Sequence, residues 1–306
     1  MNIREIFQET KAVMKKNNTF FLGYTMATFA VFFALTVAYI FSGVDWSILV
    51  VALTIGLVMP LFVGIDFIAK KAVNSEELEY RDFYLGHRNF LTSLTLETKV
   101  LSRGLLFSVL GSLGTTFVLN LCVTYYIALE NPEIMKVIQE VAAGSASFMD
   151  LFNAYSGIGW YETSIIIIDV ISLLVGGIFY IWQGKRYSFL PYICFETRFN
   201  LPTAVYLAKE SSDSIQKPFF AYNLLYLLVA VLIAGLSVGS FYLANIALNE
   251  TISLVIAFGV GSLLSAPVFL QYKVSLYVIY AKNFKARIDE TFRVKLEEAK
   301  QKRNQI

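Results

Sequence analysis

Six apolar runs divide the chain, at 20–41, 46–68, 100–129, 164–182, 222–247 and 252–281. Each is close to the ~20 residues a helix needs to cross the hydrocarbon core of a bilayer. The third, fifth and sixth exceed that length, which predicts tilt or helices that continue past the membrane. Pro60 and Pro267 fall inside the second and sixth runs and should kink them. The first run is longer than a signal-peptide core and no A-x-A site follows it, so it is expected to stay as a span.

The segments between the runs have patterns of their own. Residues 2–16 place Ile3, Ile6, Phe7 and Met14 near one face, with Arg4, Lys11, Lys15 and Lys16 elsewhere. That spacing predicts an amphipathic helix, either resting on the inner leaflet or solvated. Between the third and fourth runs, Asn131-Pro132 is a helix start with proline at the first position. Ile134, Val137, Ile138 and Val141 follow at helical spacing, and Phe148, Leu151, Phe152 and Tyr155 repeat the pattern after Gly144-Ser145. Two short helices are expected there, resting on the outer leaflet or covering a cavity. The tail, 282–306, reads as a charged helix with a thin stripe of Ile288, Phe292 and Leu296, either solvated or docking a partner.

Composition agrees with the runs and charge orients them. Hydrophobic residues make up 57% of the chain and charged residues 16%, with a mean hydropathy of +0.60. A soluble domain is about 45–50% apolar and about 25% charged. Of the 25 Lys and Arg, all but Lys136 lie in the N-terminal segment, in the loops after the second and fourth runs with their flanks, or in the sixth run and the tail. Basic residues concentrate on the cytoplasmic side of membrane proteins, so this bias places both termini in the cytoplasm. The expected fold is an all-α bundle of six transmembrane helices, N-in and C-in, with amphipathic interfacial helices. Cys122 lies in an apolar run and Cys194 in a basic loop, so a disulfide between them is not expected.

The sequence offers little for catalysis or cofactor binding. His87 is the single histidine, and no cysteine or histidine spacing suits a metal. Neither G-x-x-x-x-G-K-[ST] nor G-x-S-x-G occurs. Charged residues inside the runs are therefore the candidates, since they are costly in hydrocarbon. Asp66 lies one turn before Lys70 on the same face, which suits a pair snorkelling to the interface. Lys273 is ~13 Å along a helix from Lys282, too deep for the same account, and pairs in this reading with Asp66 or another acid of the inner half. Asp169 follows Ile165–Ile168 with no basic neighbour, and Asn120 has the depth to meet it. Asp169 either lines a wet cavity or binds a proton, or it makes a buried hydrogen bond that fixes helix packing. Gly235-x-x-x-Gly239, Gly261-x-x-x-Ser265, Gly111, Gly114, Gly176 and Gly177 are expected at close helix crossings.

Two stretches carry a resemblance. Residues 64–90 hold Gly64, the acidic Glu76–Glu79, then Asp82, Phe83, Gly86, Arg88 and Phe90. Residues 186–220 hold Arg186, Tyr187, Phe189, Pro191, Glu196, Ala204, Ser211 and Lys217. Together they resemble the uncharacterised six-span bacterial membrane proteins related to YciC and to the membrane domain fused to some glycerophosphodiester phosphodiesterases. His87 stands where those proteins usually carry an aromatic residue, and no glycine follows Lys217. The resemblance implies six helices, two cytoplasmic elbow loops and a place in the bacterial inner membrane. It supplies no activity, and the fused phosphodiesterase domain is absent here. The two elbows share a plan (a basic pair, aromatics, a short returning helix), which suggests a pseudo-two-fold arrangement.

The expectation is a non-catalytic scaffold or accessory subunit of a membrane complex. It would need no cofactor, sit among membrane lipids, contact another integral membrane protein and bind no nucleic acid. The alternative is a transporter or lipid-handling carrier with Asp169, Asn120 and Lys273 along its path.

Overall fold

The computed structural model describes residues 2–41, 56, 60–156, 158–197 and 200–304. Every regular element among them is a helix. In chain order these are α1 (Ile3–Lys16), α2 (Asn18–Phe41), α3 (60–73), a 3-10 turn (Tyr80–Tyr84), α4 (Leu85–Arg88) and α5 (Phe90–Glu130). Then come α6 (Pro132–Ala142), α7 (Phe148–Ser156), α8 (Tyr161–Gly184), a 3-10 turn (Lys185–Tyr187), α9 (Leu190–Glu196), α10 (Leu201–Ser214), α11 (Gln216–Asn245), α12 (Glu250–Asn283) and α13 (Lys285–Asn304). Among the described residues five helices, α2, α5, α8, α11 and α12, are long and apolar enough to cross a membrane. Residues 46–55 and 57–59 of the expected second span lie outside the described residues. Helices satisfy their own backbone polar groups, and hydrocarbon requires this of any lipid-exposed span.

The chain forms two compact units, residues 1–101 with 185–306, and residues 102–184. In the first unit the core gathers around one end of α12. From Leu270 to Tyr280 this helix is buried almost all round, Val274, Ser275, Tyr277, Val278, Ile279 and Tyr280 completely so. Helices α1, α2 and α11 pack along it. One face of the amphipathic α1 packs on protein, and its other face, with Arg4, Lys11, Lys15 and Lys16, is exposed. Its Ile6 is buried, Phe7 stacks on Tyr226, Thr10 hydrogen-bonds Ser275 at 3.0 Å, and Glu5 and Glu9 both reach Lys282. The Lys282 ammonium holds the Glu5 carboxyl below its ordinary range. The tail is partly docked as well: Ile288 is buried and Arg287 pairs with Glu210 of α10. The side chain of Leu296 lies outside the described residues.

In the second unit, α5 and α8 meet through small residues. Ser112 Oγ donates to the Ser172 carbonyl at 3.0 Å, and a Cβ on Gly176 would lie 2.9 Å from the Ser108 carbonyl oxygen. The short α6 and α7 do not only rest on a surface. Ile134 and Tyr155 form a small core with Ile127 and Ala128, and the Tyr155 hydroxyl donates to the Thr124 carbonyl at 2.9 Å. The glycine expectations divide. Gly111, Gly176 and Gly261 sit against neighbouring side chains, whereas Gly114, Gly235 and Gly239 face open space. Both cysteines are free.

Candidate functional site

The site lies in the first unit and is built by an i, i+4 repeat on three helices. Residues four apart lie on one face, ~6 Å along the axis. Asp66 and Lys70 occupy α3, Tyr192 and Glu196 occupy α9, and Lys273 and Tyr277 occupy α12. Where these faces meet, the side chains form two polar layers one turn apart.

The deep layer is almost dry. Asp66 is 1% exposed and Lys273 is 7% exposed. Lys273 Nζ donates to Asp66 Oδ2 at 2.9 Å, and the Tyr192 hydroxyl lies 2.9 Å from Asp66 Oδ1 and 3.0 Å from the Lys273 carbonyl oxygen. Both oxygens of Asp66 therefore have partners. A second acid, Glu97 of α5, is 1% exposed and places Oε1 3.8 Å from Lys273 Nζ. That separation is too long for a hydrogen bond, and among the described residues Oε1 has no other hydrogen-bond partner. Nearby aromatic hydroxyls extend the polarity: Tyr272 donates to Asn223 Oδ1 at 2.6 Å.

The shallow layer neutralises itself. Glu196 Oε1 accepts from the Tyr277 hydroxyl at 2.6 Å and faces Lys285 at 3.4 Å and Lys70 at 3.8 Å. Asn74 Nδ2 donates to the Tyr277 hydroxyl at 3.1 Å. Burial and the nearby Glu196 charge push the Asp289 carboxyl above its ordinary value, against Lys285 and Lys70.

The expected residues fall into three groups. Asp66 and Lys273 do come together. Asp66 is not half of a pair snorkelling with Lys70, because Asp66 turns inward to Lys273 while Lys70 turns to Glu196. Asp169 and Asn120 are not joined by any hydrogen bond among the described residues. Asp169 is exposed, and Asn120 Nδ2 donates to the Thr116 carbonyl of its own helix at 3.0 Å. A helix surface that faces lipid or solvent gives Asp169 neither the cavity nor the buried partner expected of it. The motif residues serve packing. Asp82 binds Lys71 at 2.9 Å and accepts from the Glu79 amide at 2.9 Å. Gly86 lies against the Pro60 carbonyl, where a Cβ would overlap backbone. Gly64, Phe189 and Pro191 are buried, Tyr187 is half-buried, Arg186 faces Asp213 at 3.5 Å and Arg88 is exposed. The side chain of Phe83 lies outside the described residues.

Glu97 is the participant that sequence reading missed. The third apolar run starts at residue 100, so Glu97 falls in the loop. Residues 90–103 contain neither glycine nor proline, so nothing stops the helix from extending back to Phe90. Ser93, Leu96 and Glu97 then share a buried face.

No protein-family model, curated protein or solved structure matches the chain.

Proposed function

We propose that the protein is a six-span, multi-pass protein of the bacterial cytoplasmic membrane with both termini in the cytoplasm. In this reading it works without catalysis, as a scaffold or accessory subunit of a membrane complex. The observation that carries the reading is the inward direction of its polar chemistry. Asp66, Lys70, Asp82, Lys71, Glu196 and Lys273 are each partnered with one another and hold α3, the first 3-10 turn, α9 and α12 around one hub. Such a hub offers a partner a rigid shape and a charged rim (α1, the elbows and α13) rather than reactive groups. The basic-residue bias supports the orientation, and the two elbow motifs support kinship with YciC-like proteins.

The test is purification from the native membrane in mild detergent, with protein and lipid mass spectrometry on one eluate. A membrane protein recovered in fixed stoichiometry, and lost when α13 is deleted, supports the accessory role. A lone protein enriched in one lipid or small molecule favours the carrier. One observation favours that second reading: the deep layer holds two acids against one base.

A further inference from the structure

Asp66, Glu97 and Lys273 are each less than a tenth exposed, and together they carry one more negative charge than positive if all three ionise. A charge withdrawn from water must be paired and hydrogen-bonded, or the group takes up a proton. The two acids differ in how well they meet that condition. Asp66 receives the ammonium on one oxygen and faces the tyrosine hydroxyl on the other, both at 2.9 Å. Glu97 has the same ammonium only at 3.8 Å, and its Oε1 has no hydrogen-bond donor among the described residues. Asp66 itself adds a repulsive charge at Glu97.

The groups on the elements around Glu97 do not correct the imbalance. On α3 they are Asp66 and Lys70, on α9 Tyr192 and Glu196, and on α12 Lys273 and Tyr277. Lys70 is committed to Glu196 in the shallow layer together with Lys285, and among the described residues Lys273 is the cation that faces Glu97. A cavity of about 520 Å³, lined in part by Thr92, Thr95, Leu96, Cys194 and Thr197, borders the residue next to Glu97 in the chain. It brings accessible space to this turn of α5.

We propose that Glu97 is a buried proton-binding site: Asp66 and Lys273 form the fixed ion pair, and Glu97 carries one exchangeable proton. Protonation forms an O–H bond on the carboxylate as a hydronium ion gives up one O–H bond and is left as water; on alkaline titration hydroxide takes the proton back and becomes water. Losing that proton leaves a repelled carboxylate inside the junction of α5 with α3 and α12. The first turns of α5, held there by buried Leu96 and by Ser93 Oγ donating to the Gly86 carbonyl at 2.8 Å, are then loosened. The cluster is thus a pH-sensitive latch on the inner end of α5, whether the protein is an accessory subunit or a carrier.

Infrared difference spectroscopy on the full chain in lipid nanodiscs, titrated from neutral to alkaline pH, tests this. The wild type should show the C=O stretch of a protonated carboxyl at neutral pH and lose it on alkaline titration, with Tm falling in parallel. In Glu97→Gln that band should be missing, the neutral-pH Tm unchanged and its alkaline fall reduced, since the amide mimics the neutral acid. In Asp66→Asn the Lys273 charge passes to Glu97, so the band should vanish there too. A wild type without the band at neutral pH overturns the proposal, as does a band that survives Glu97→Gln. Collapse of Glu97→Gln at neutral pH does so as well, because it would mean an ionised partner had been removed. A band that responds to sodium and not to pH makes the site one for a metal cation instead.

Discussion

The two elbows look alike in sequence, yet they are used in opposite ways. Both follow a basic pair, run through aromatic residues and return on a short helix. In the second, Phe189, Leu190, Tyr192 and Ile193 have no exposed surface at all, and α9 is a wedge driven among α11, α12 and α13. In the first, Tyr80 is 71% exposed and Tyr84 69%, and the chain is a strap held at a few points, Asp82 to Lys71 and Gly86 to Pro60. Both are rich in aromatic residues, so the presence of aromatics cannot be what separates them. Proline placement and the partner surface do. Pro191 starts a helix whose neighbours already present Phe219, Tyr280 and Phe284, whereas the first elbow meets the end of α3 and isolated side chains such as Phe20 of α2 and Ser93 of α5. The structure thus removes the equivalence suggested by the shared plan.

The largest effects should come from the wedge. Phe189 stacks on Phe219 at 5.2 Å and meets Phe284 at 5.3 Å and Tyr280 at 6.3 Å. Phe189→Ala should cost ~3–5 kcal/mol, as truncation of a fully buried aromatic does. It should appear as a lost folded fraction by fluorescence-detected size exclusion after heating. Tyr84→Ala in the strap should change the same measurement by no more than ~0.5 kcal/mol. Equal losses at the two sites would abolish the distinction. Tyr192→Phe comes next. It removes a buried hydroxyl from the Asp66 carboxylate and should lower stability by ~1–3 kcal/mol, read as a fall in Tm with the helical circular dichroism of the remaining protein unchanged.

Much of this architecture was legible from the chain and some was not. The long apolar runs set α2, α8, α11 and α12 within a few residues, because hydrocarbon leaves a helix no other option. Asn131-Pro132 marked the start of α6 because proline at the first helical position has no amide left unpaired. What periodicity could not supply was the partner of a face. The apolar side of α1 has the composition of a lipid-facing helix, and only the position of α12 decides that Ile6 and Thr10 meet protein. Asp66 and Lys273 were identifiable as costly charges. Glu97 was not, since the mixed turns from Phe90 to Lys99 that begin α5 ahead of the third run carry no apolar signal. Asp169 misled for the opposite reason: its apolar flanks imply depth, but depth does not decide between a helix's inner and outer face.

The strap's own anchors should give intermediate effects. Gly86→Ala forces a Cβ into the Pro60 carbonyl, and the obstacle is backbone rather than a movable side chain. A cost of ~1–3 kcal/mol is expected, comparable with that of Tyr192→Phe but confined to the strap, so limited proteolysis should cut near residues 75–90 while α9 stays protected. Asp82→Asn weakens a half-buried ion pair with Lys71 and should cost about 1 kcal/mol. Its signature is salt dependence, because the wild-type Tm should fall more with added salt than that of the variant.

The smallest effect is the most direct report on the wedge, because it leaves the sequence unaltered. Cys194 sits on α9, and burial pushes its thiol up to about 11. An ordinary cysteine titrates near ~8.5, so at pH 8 the thiolate of Cys194 should be roughly 200-fold scarcer than that of a free thiol. Alkylation by iodoacetamide, followed by mass spectrometry of the peptide, should slow by that factor and recover on unfolding in detergent. The same shift has a sign for stability. The folded state keeps the proton over a range where the unfolded chain has released it, so this contribution is fully present below ~8.5 and declines as pH rises toward about 11. Cys194→Ser should remove that alkaline decline if α9 is a dry wedge. A thiol that reacts at the unfolded rate at pH 8 would mean that α9 opens to water as readily as the strap does, and the two elbows would be equivalent after all.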